Sequence, residues 1–395
     1  MKLLPISDQV IVITGASSGI GLTTARMAAR AGARVVMTSR DEETLRLEAE
    51  RIHDAGGQAT WLAGDVTDPE LCERVARHAV LTFGRIDTWV NNAGISVYGL
   101  TQEVALEDMR RVFGVTYWGV VHGCLAAVPR LRERGGALIN VGSIESDISI
   151  PFHSSYSAAK HAVKGFTNAL RMELEHEGAG IAVSLIKPAG IDTPFFEHAK
   201  NYMPGNPKPP PPAYAPEVVA RAILHCAQRQ TRELLVGGAG RAMVGLARWF
   251  PRTSDKVFEA TLFDAQQTDR PTRHDRMGSL YTTGPFNGRQ RGQYRGMVRD
   301  SSLSTSIALR PVQTAVGVGL LSAAVMGAFG VMRSARRTRE ASGFDLRATQ
   351  RWSRHDVPTM RKPELPPEPF PLARDLEVSA PELRYDPPDL TQPPV

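Results

Sequence analysis

Cysteine is scarce in this chain of 395 residues. Cys72, Cys124 and Cys226 lie far apart and form no Cys-x-x-Cys pair. An odd, sparse count excludes a disulfide framework and points to a reducing compartment. The ten histidines show no metal-ligand spacing, so no metal site is expected. Aromatic residues make up only 7%, and no basic run is interleaved with them. That pattern speaks against RNA binding, and a net charge of +6, carried more by the C-terminal half, does not name nucleic acid as a partner. Met1-Lys2-Leu3-Leu4-Pro5 gives way at once to polar Ser7-Asp8-Gln9, so no secretory leader is expected. The length suggests two domains, or one with appendages.

What the front of the chain does have is alternation. Val10-Ile11-Val12-Ile13 reads as a short strand, Thr14-Gly15-Ala16-Ser17-Ser18-Gly19-Ile20-Gly21 as a glycine turn, and the Ala-rich run to Ala31 as a helix. In a dinucleotide fold such a turn lets the backbone approach a pyrophosphate, and the helix start offers free N–H groups. The alternative is a glycine-rich turn without function. A second strand, Arg34 to Ser39, ends without the carboxylate that holds an NAD ribose. Ser39 stands there and Arg40 follows, a guanidinium suited to the 2′-phosphate of NADP. Otherwise Arg40 is merely solvated and Asp41 caps the helix Glu42 to Ala55. Ala59 to Ala63 is a third strand, leading to Asp65, placed to meet the adenine, and Val66. Asp87 to Val90 is a fourth, running into Asn91-Asn92-Ala93-Gly94. Strand and helix alternate throughout, which predicts an α/β fold with a parallel sheet covered on both faces.

A strand over Ala137–Val141 leads through Gly142 to Ser143, and a helical pattern follows from Ala158 to Leu174 with Tyr156 and Lys160 at its start. Residues four apart share a helix face. A tyrosine titrates near ~10, too high for proton transfer at neutrality, and a neighbouring cation lowers that value. Lys160 is placed to be that cation, Tyr156 to exchange a proton with an alcohol or carbonyl oxygen, and Ser143 to orient the same oxygen.

Thr14-Gly-x-x-x-Gly-x-Gly21, Asn91-Asn-Ala-Gly94, Ser143 and Tyr156-x-x-x-Lys160, in this order and spacing, resemble the short-chain dehydrogenase/reductase family over about residues 5–238. The resemblance implies a Rossmann-like doubly wound sheet of about seven strands, and hydride transfer at nicotinamide C4 of NADP(H) between an alcohol and a ketone or aldehyde. It implies that Tyr156 is the acid/base, that Ser143 stabilises substrate, and that Lys160 binds the nicotinamide ribose while tuning Tyr156. The cofactor site would comprise Gly15, Ser17, Ser18, Gly19, Ile20, Gly21, Ser39, Arg40, Asp65, Val66, Asn92, Ala93 and Gly94. Pro188, Ile191 and Thr193 would complete it, with Ile191 and Thr193 at the carboxamide end. Homo-oligomers through the helices before strands five and six are implied as well. Two positions depart from the family. Ala189 replaces a usual Gly, and Thr116, in Val115-Thr116-Tyr117-Trp118-Gly119, replaces an Asn that helps hold a water on a proton relay behind Lys160. A hydroxyl holds a water too, but lacks an amide's two donors plus acceptor. Two readings therefore stand: an active oxidoreductase with Thr116 among its catalytic set, or a membrane-attached NADP-binding scaffold or sensor with weakened catalysis.

Beyond Asp192 a substrate lid is expected, its apolar Phe195, Phe196, Tyr202 and Met203 favouring a lipophilic substrate. Pro209 to Pro212 reads as extended, and Glu233–Val236 as the last strand. The residues before Gly238 carry the complete cofactor and catalytic set. Residues 240–250 read as a basic amphipathic helix, lying on a membrane or packed on the core, and 264–310 as a polar linker. The run 312–332 carries no charge and is long enough to span a membrane. Residues 333–395 are rich in proline and charge and are expected to be disordered. The protein is thus expected at a membrane, its catalytic domain in the cytoplasm.

Overall fold

Every residue of β1 (Val10–Thr14) is buried. Val10 and Val12 enter one apolar layer, Ile11 and Ile13 the other. Strands covered on both faces read as continuous apolar runs for this reason. The computed structural model that shows this describes residues 3–271, 278–284 and 287–310. The chain divides into units 1–323 and 324–395, and all described residues belong to the first. The run 312–332 and the tail 333–395 lie outside the described residues.

From β1 the chain passes through α1 (Gly19–Arg30), β2 (Arg34–Ser39), α2 (Glu42–Asp54), β3 (Gln58–Ala63), α3 (Pro69–Phe83) and β4 (Thr88–Asn91). Then come α4 (Leu106–Phe113) and α5 (Gly119–Arg132), joined by a π-helical turn at Gly114–Trp118. β5 (Gly136–Val141), α6 (Ser154–His176), β6 (Ile181–Pro188), α7 (Pro216–Cys226) and β7 (Glu233–Val236) complete the sheet and its cover. All seven strands are parallel, in the order β7-β6-β5-β4-β1-β2-β3. The order reverses between β1 and β4, and ligands of such sheets bind outside the strand ends at that point.

Local chemistry sets the helix starts. Asp68 accepts from Glu70 N at 2.9 Å and Pro69 takes the first position of α3. Asp41 accepts from Thr44 N at 3.0 Å and caps α2. α6 begins at Ser154 rather than Ala158, which puts both Tyr156 and Lys160 inside its first turns. The apolar stretch Leu106–Arg132 meets the length and hydropathy of a membrane span, but more than half of it is buried. It forms a wall of the core beside the sheet.

Residues 240–250 form the expected helix, and of its two expected placements it takes the one packed on the core. α8 (Gly238–Trp249) and α9 (Pro251–Ala265) pack against Ile144, Ile148 and Ile150 through Met243, Val244, Ala247, Phe258 and Leu262. Described parts of the expected linker are folded as well. Gln267–Pro271 pairs with Gly205–Pro207, Val298–Arg299 pairs with Ala213–Tyr214, and α10 (Leu303–Leu309) closes the described chain. Periodicity missed the paired segments Gln267–Pro271 and Val298–Arg299 because their order comes from backbone pairing with other parts of the fold, not from an apolar stripe of their own.

Candidate active site

The glycine turn after β1 is held by the Asn-Asn-Ala-Gly segment after β4. Thr14 Oγ1 accepts from Asn92 N at 3.0 Å and from Ala93 N at 3.1 Å, while Asn92 Nδ2 donates to Thr14 O and Gly15 O at 3.0 and 3.2 Å. Gly15 has φ +65°, and a Cβ there would lie 2.8 Å from Ala93 Cα. At Gly21 a Cβ would lie 2.2 Å from Gly15 O. The two motifs are thus one cradle, in which bare backbone faces the cleft.

That cleft runs across the C-terminal ends of the strands. Every site residue expected from the sequence lines it, except Gly21 and Thr116. Gly21 packs behind the turn. Thr116 sits in the π turn, fully buried, where its hydroxyl donates to Ile95 O at 3.1 Å and accepts from Ile95 N at 3.3 Å.

At one end of the cleft Ser143, Tyr156 and Lys160 meet. Lys160 Nζ donates to Val141 O at 2.7 Å and lies 5.5 Å from the centroid of the Tyr156 ring. Burial pulls the Lys160 ammonium down to about 8, against an opposing pull from Glu145. Burial also pushes the Tyr156 phenol well above its ordinary value; Glu145 adds to the rise and a hydrogen bond with Ser143 opposes it. Burial, rather than the Lys160 cation, is thus the largest influence on the phenol.

Sequence reasoning passed over a buried polar group beside this triad. Glu145 accepts from Ser157 Oγ and sits 3.0 Å from His153 Nδ1, and His153 Nε2 is 2.9 Å from Ser96 Oγ. The His153 ring lies 3.8 Å from that of Tyr98 and 5.0 Å from that of Tyr156. Glu145 stands two residues after Ser143, and a carboxylate that close to a candidate catalytic residue was the available signal. The substrate end of the cleft is otherwise apolar, with Ile95, Ile144, Ile150, Phe195 and Phe196 in its wall.

At the other end, Arg40 is partly buried. Its guanidinium donates to Leu280 O at 2.9 Å and to Ser279 O. Asp65 does not stand free to meet an adenine: it is paired with Arg111 and accepts from Thr67 N at 3.0 Å and Thr67 Oγ1 at 2.9 Å. Among the described residues no carboxylate lies within ion-pair distance of Arg40. Ser279, Thr283, Gly284 and Asn287 also line the cleft. The residues before Gly238 are therefore not the complete set.

A profile of the short chain dehydrogenase family matches residues 9–203. The uncharacterized oxidoreductase YxnA of Bacillus subtilis is 43% identical over 326 residues, covering 82% of this chain and 91% of that one. The 1-deoxy-11-beta-hydroxypentalenate dehydrogenase of Streptomyces exfoliatus is 40% identical over 196 residues, covering 49% and 70%. Among solved structures, an alcohol dehydrogenase from the archaeon Thermococcus sibiricus, complexed with 5-hydroxy-NADP, superposes with a TM-score of 0.51 at 25% identity, over 58% of this chain and 95% of that one. With the parallel sheet, the cradle and these relatives together, the chain belongs to the short-chain dehydrogenase family, oxidoreductases that act on alcohol and ketone groups with a nicotinamide cofactor.

Proposed function

We propose that the protein is an NADP(H)-dependent oxidoreductase that interconverts an alcohol and a ketone or aldehyde on a lipophilic substrate. The observation that carries this is one continuous cleft, with Ser143, Tyr156 and Lys160 at one end and Arg40 at the other. The residues fit a dinucleotide with a 2′-phosphate: Gly15 and Gly21 leave backbone open where a Cβ would collide, and Arg40 is a held cation without a carboxylate partner among the described residues. The nicotinamide, when bound, supplies or accepts the hydride. Tyr156 then gives a proton to the carbonyl oxygen, or takes one from the alcohol, and Ser143 hydrogen-bonds the same oxygen. Lys160 holds the nicotinamide ribose. Burial keeps Tyr156 protonated, so the free site is loaded for reduction. The apolar wall around Phe195 and Phe196 supports a lipophilic substrate. Because Thr116 already satisfies both Ile95 backbone groups, its proposed role is to fix the chain beside Gly94, not to hold a relay water. That engagement favours the scaffold-or-sensor alternative to the extent that proton resupply limits turnover.

Arg40 gives the test of cofactor choice. NADPH is expected to bind about ten- to a hundredfold more tightly than NADH, the worth of one charge-assisted contact of roughly 1.5–3 kcal/mol. Arg40→Ala should remove most of the gap in a fluorescence titration. Equal affinities in the wild type would refute the assignment.

The uncharged run 312–332 supports a second proposal, that the enzyme is held at a membrane with its catalytic domain in the cytoplasm. Full-length protein should sediment with membranes and stay there through high salt and alkali, since a spanning helix is not screened by salt as a surface contact is. Recovery in the soluble fraction would sink this reading. Exposed Trp118, Leu125 and Met172, on the π turn, α5 and α6, support self-association through those helices.

A further inference from the structure

Residues 279–284 and 287–291 have no counterpart in the motifs that define the nucleotide site, yet they are built into it. Leu280 is completely buried, packed with Val97, Val104, Val112 and Tyr156. Its carbonyl oxygen accepts from two guanidinium groups, Arg40 Nη1 at 2.9 Å and Arg111 Nε at 2.8 Å. Ser279 O takes a second N–H of Arg40. Farther along, Asn287 Nδ2 donates to Asp41 Oδ2, Gly288 N donates to Ser17 O at 2.8 Å, and Arg289 O accepts from Gly19 N at 2.9 Å. The chain therefore clasps the glycine turn and the end of β2, which are the two places that read the adenosine half of a dinucleotide.

Two further residues fasten this segment without facing the cleft. Gln290 Nε2 donates to Thr23 Oγ1 at 2.9 Å, and Gln290 Oε1 accepts from Arg26 Nη1 at 2.8 Å. Arg291 bonds Glu217 at 3.1 Å and Asp300 at 2.9 Å. The likeness to YxnA covers 82% of the chain, too long a stretch to end before these residues.

We propose that residues 279–280 and 287–291 are the outer wall of the cofactor site, over the adenosine and 2′-phosphate end. Two consequences follow for binding. Arg40 has five N–H donors; with two anchored on carbonyls it is oriented in advance and keeps three for a phosphate. The segment also bonds the glycine turn directly at Ser17 and Gly19, so it bounds that end of the cleft, and loosening it should open a route by which a nucleotide leaves. The inference rests on the proposed NADP(H) function, but its failure can be told from the failure of that reading.

The test is stopped-flow release of NADPH and NADH from full-length protein, comparing wild type with the double variant Gln290→Ala, Arg291→Ala. Neither side chain lines the cleft. Loosening the wall should speed NADPH release by about tenfold or more, in keeping with the loss of several hydrogen bonds, and weaken its affinity in proportion. Release unchanged within about twofold, in a variant whose unfolding temperature is near wild type, would overturn the proposal. Hydrogen exchange of the wild type keeps the test open if the variant misfolds: amides of residues 287–291 should exchange markedly more slowly with NADPH bound, and exchange unaffected by cofactor overturns the wall. Equal wild-type affinities for NADPH and NADH, with release of both quickened in the variant, would retain the wall and remove the 2′-phosphate assignment.

Discussion

Replacing Tyr156 by Phe is expected to lower turnover by about 10²–10⁴-fold, the usual worth of a positioned acid/base, while cofactor affinity stays within a few-fold. The substitution removes one oxygen from a buried ring that packs on Phe195, 5.4 Å between centroids, and leaves that packing in place. The wild type adds a pH signature. The Lys160 cation, pulled down to about 8, is present below that pH and lost as pH rises through it. Tyr156, pushed up by burial, stays an acid across the same range. Ketone reduction at saturating substrate should therefore be flat below about pH 8 and fall above it, and Lys160→Met should abolish the inflection along with most of the rate. Steady-state rates against a panel of hydrophobic ketones give both readings. A Tyr156→Phe enzyme with wild-type turnover would remove Tyr156 from the chemistry.

Gly21→Ala is expected to damage both the fold and the cofactor site. The added Cβ would meet Gly15 O at 2.2 Å and Asn92 Nδ2 at 2.6 Å. Gly15 belongs to the turn and Asn92 is its anchor, so relief requires the two to part and the Asn92 bonds to Thr14 O and Gly15 O to break. Overpacking of this kind costs about 1–3 kcal/mol. NADPH affinity should drop at least tenfold with it, since each broken bond is worth roughly 0.5–1.5 kcal/mol. Gly165→Ala is the internal control: it lies in α6, a Cβ there meets nothing within 4 Å, and the change should stabilise the protein by about 0.8–1 kcal/mol. Thermal unfolding of the two variants should move in opposite senses, and cofactor affinity should fall only in Gly21→Ala. Equal behaviour would mean that the turn tolerates a side chain.

These two residues also mark what could be read in the sequence. The turn, the Asn-Asn-Ala-Gly anchor and Tyr156-x-x-x-Lys160 are short, and their function depends on spacing along a strand end or a helix face. Such relations survive in one dimension, which is why the expected sheet and nearly all expected lining residues were found in place. The electrostatics of Tyr156 did not survive, because its sign depends on burial by Val97, Val104 and Leu280, remote in the chain. Residues 279–280 and 287–291 were illegible for a related reason. They act mainly through backbone carbonyl and amide groups, which every residue possesses, so no residue type signals them. Glu145 stood in plain view beside Ser143, but its partner His153 becomes meaningful only once the chain turns back to bring the two together.

The order of synthesis matters for this cleft. The seven-stranded sheet is complete when Val236 has been made, and the residues that clasp its glycine turn begin to follow at Ser279 and are complete only at Arg291. At ~5–20 residues per second of translation, that interval of roughly fifty residues lasts about 3–10 s. A nascent chain thus presents an open nucleotide groove before the segment that closes over it exists. On the wall proposed above, a cofactor entering in that window would meet no obstacle, and one that arrives after release from the ribosome would have to pass it. Enzyme made in cells and enzyme refolded without nucleotide should then differ in how much cofactor they carry, although their sequence is the same.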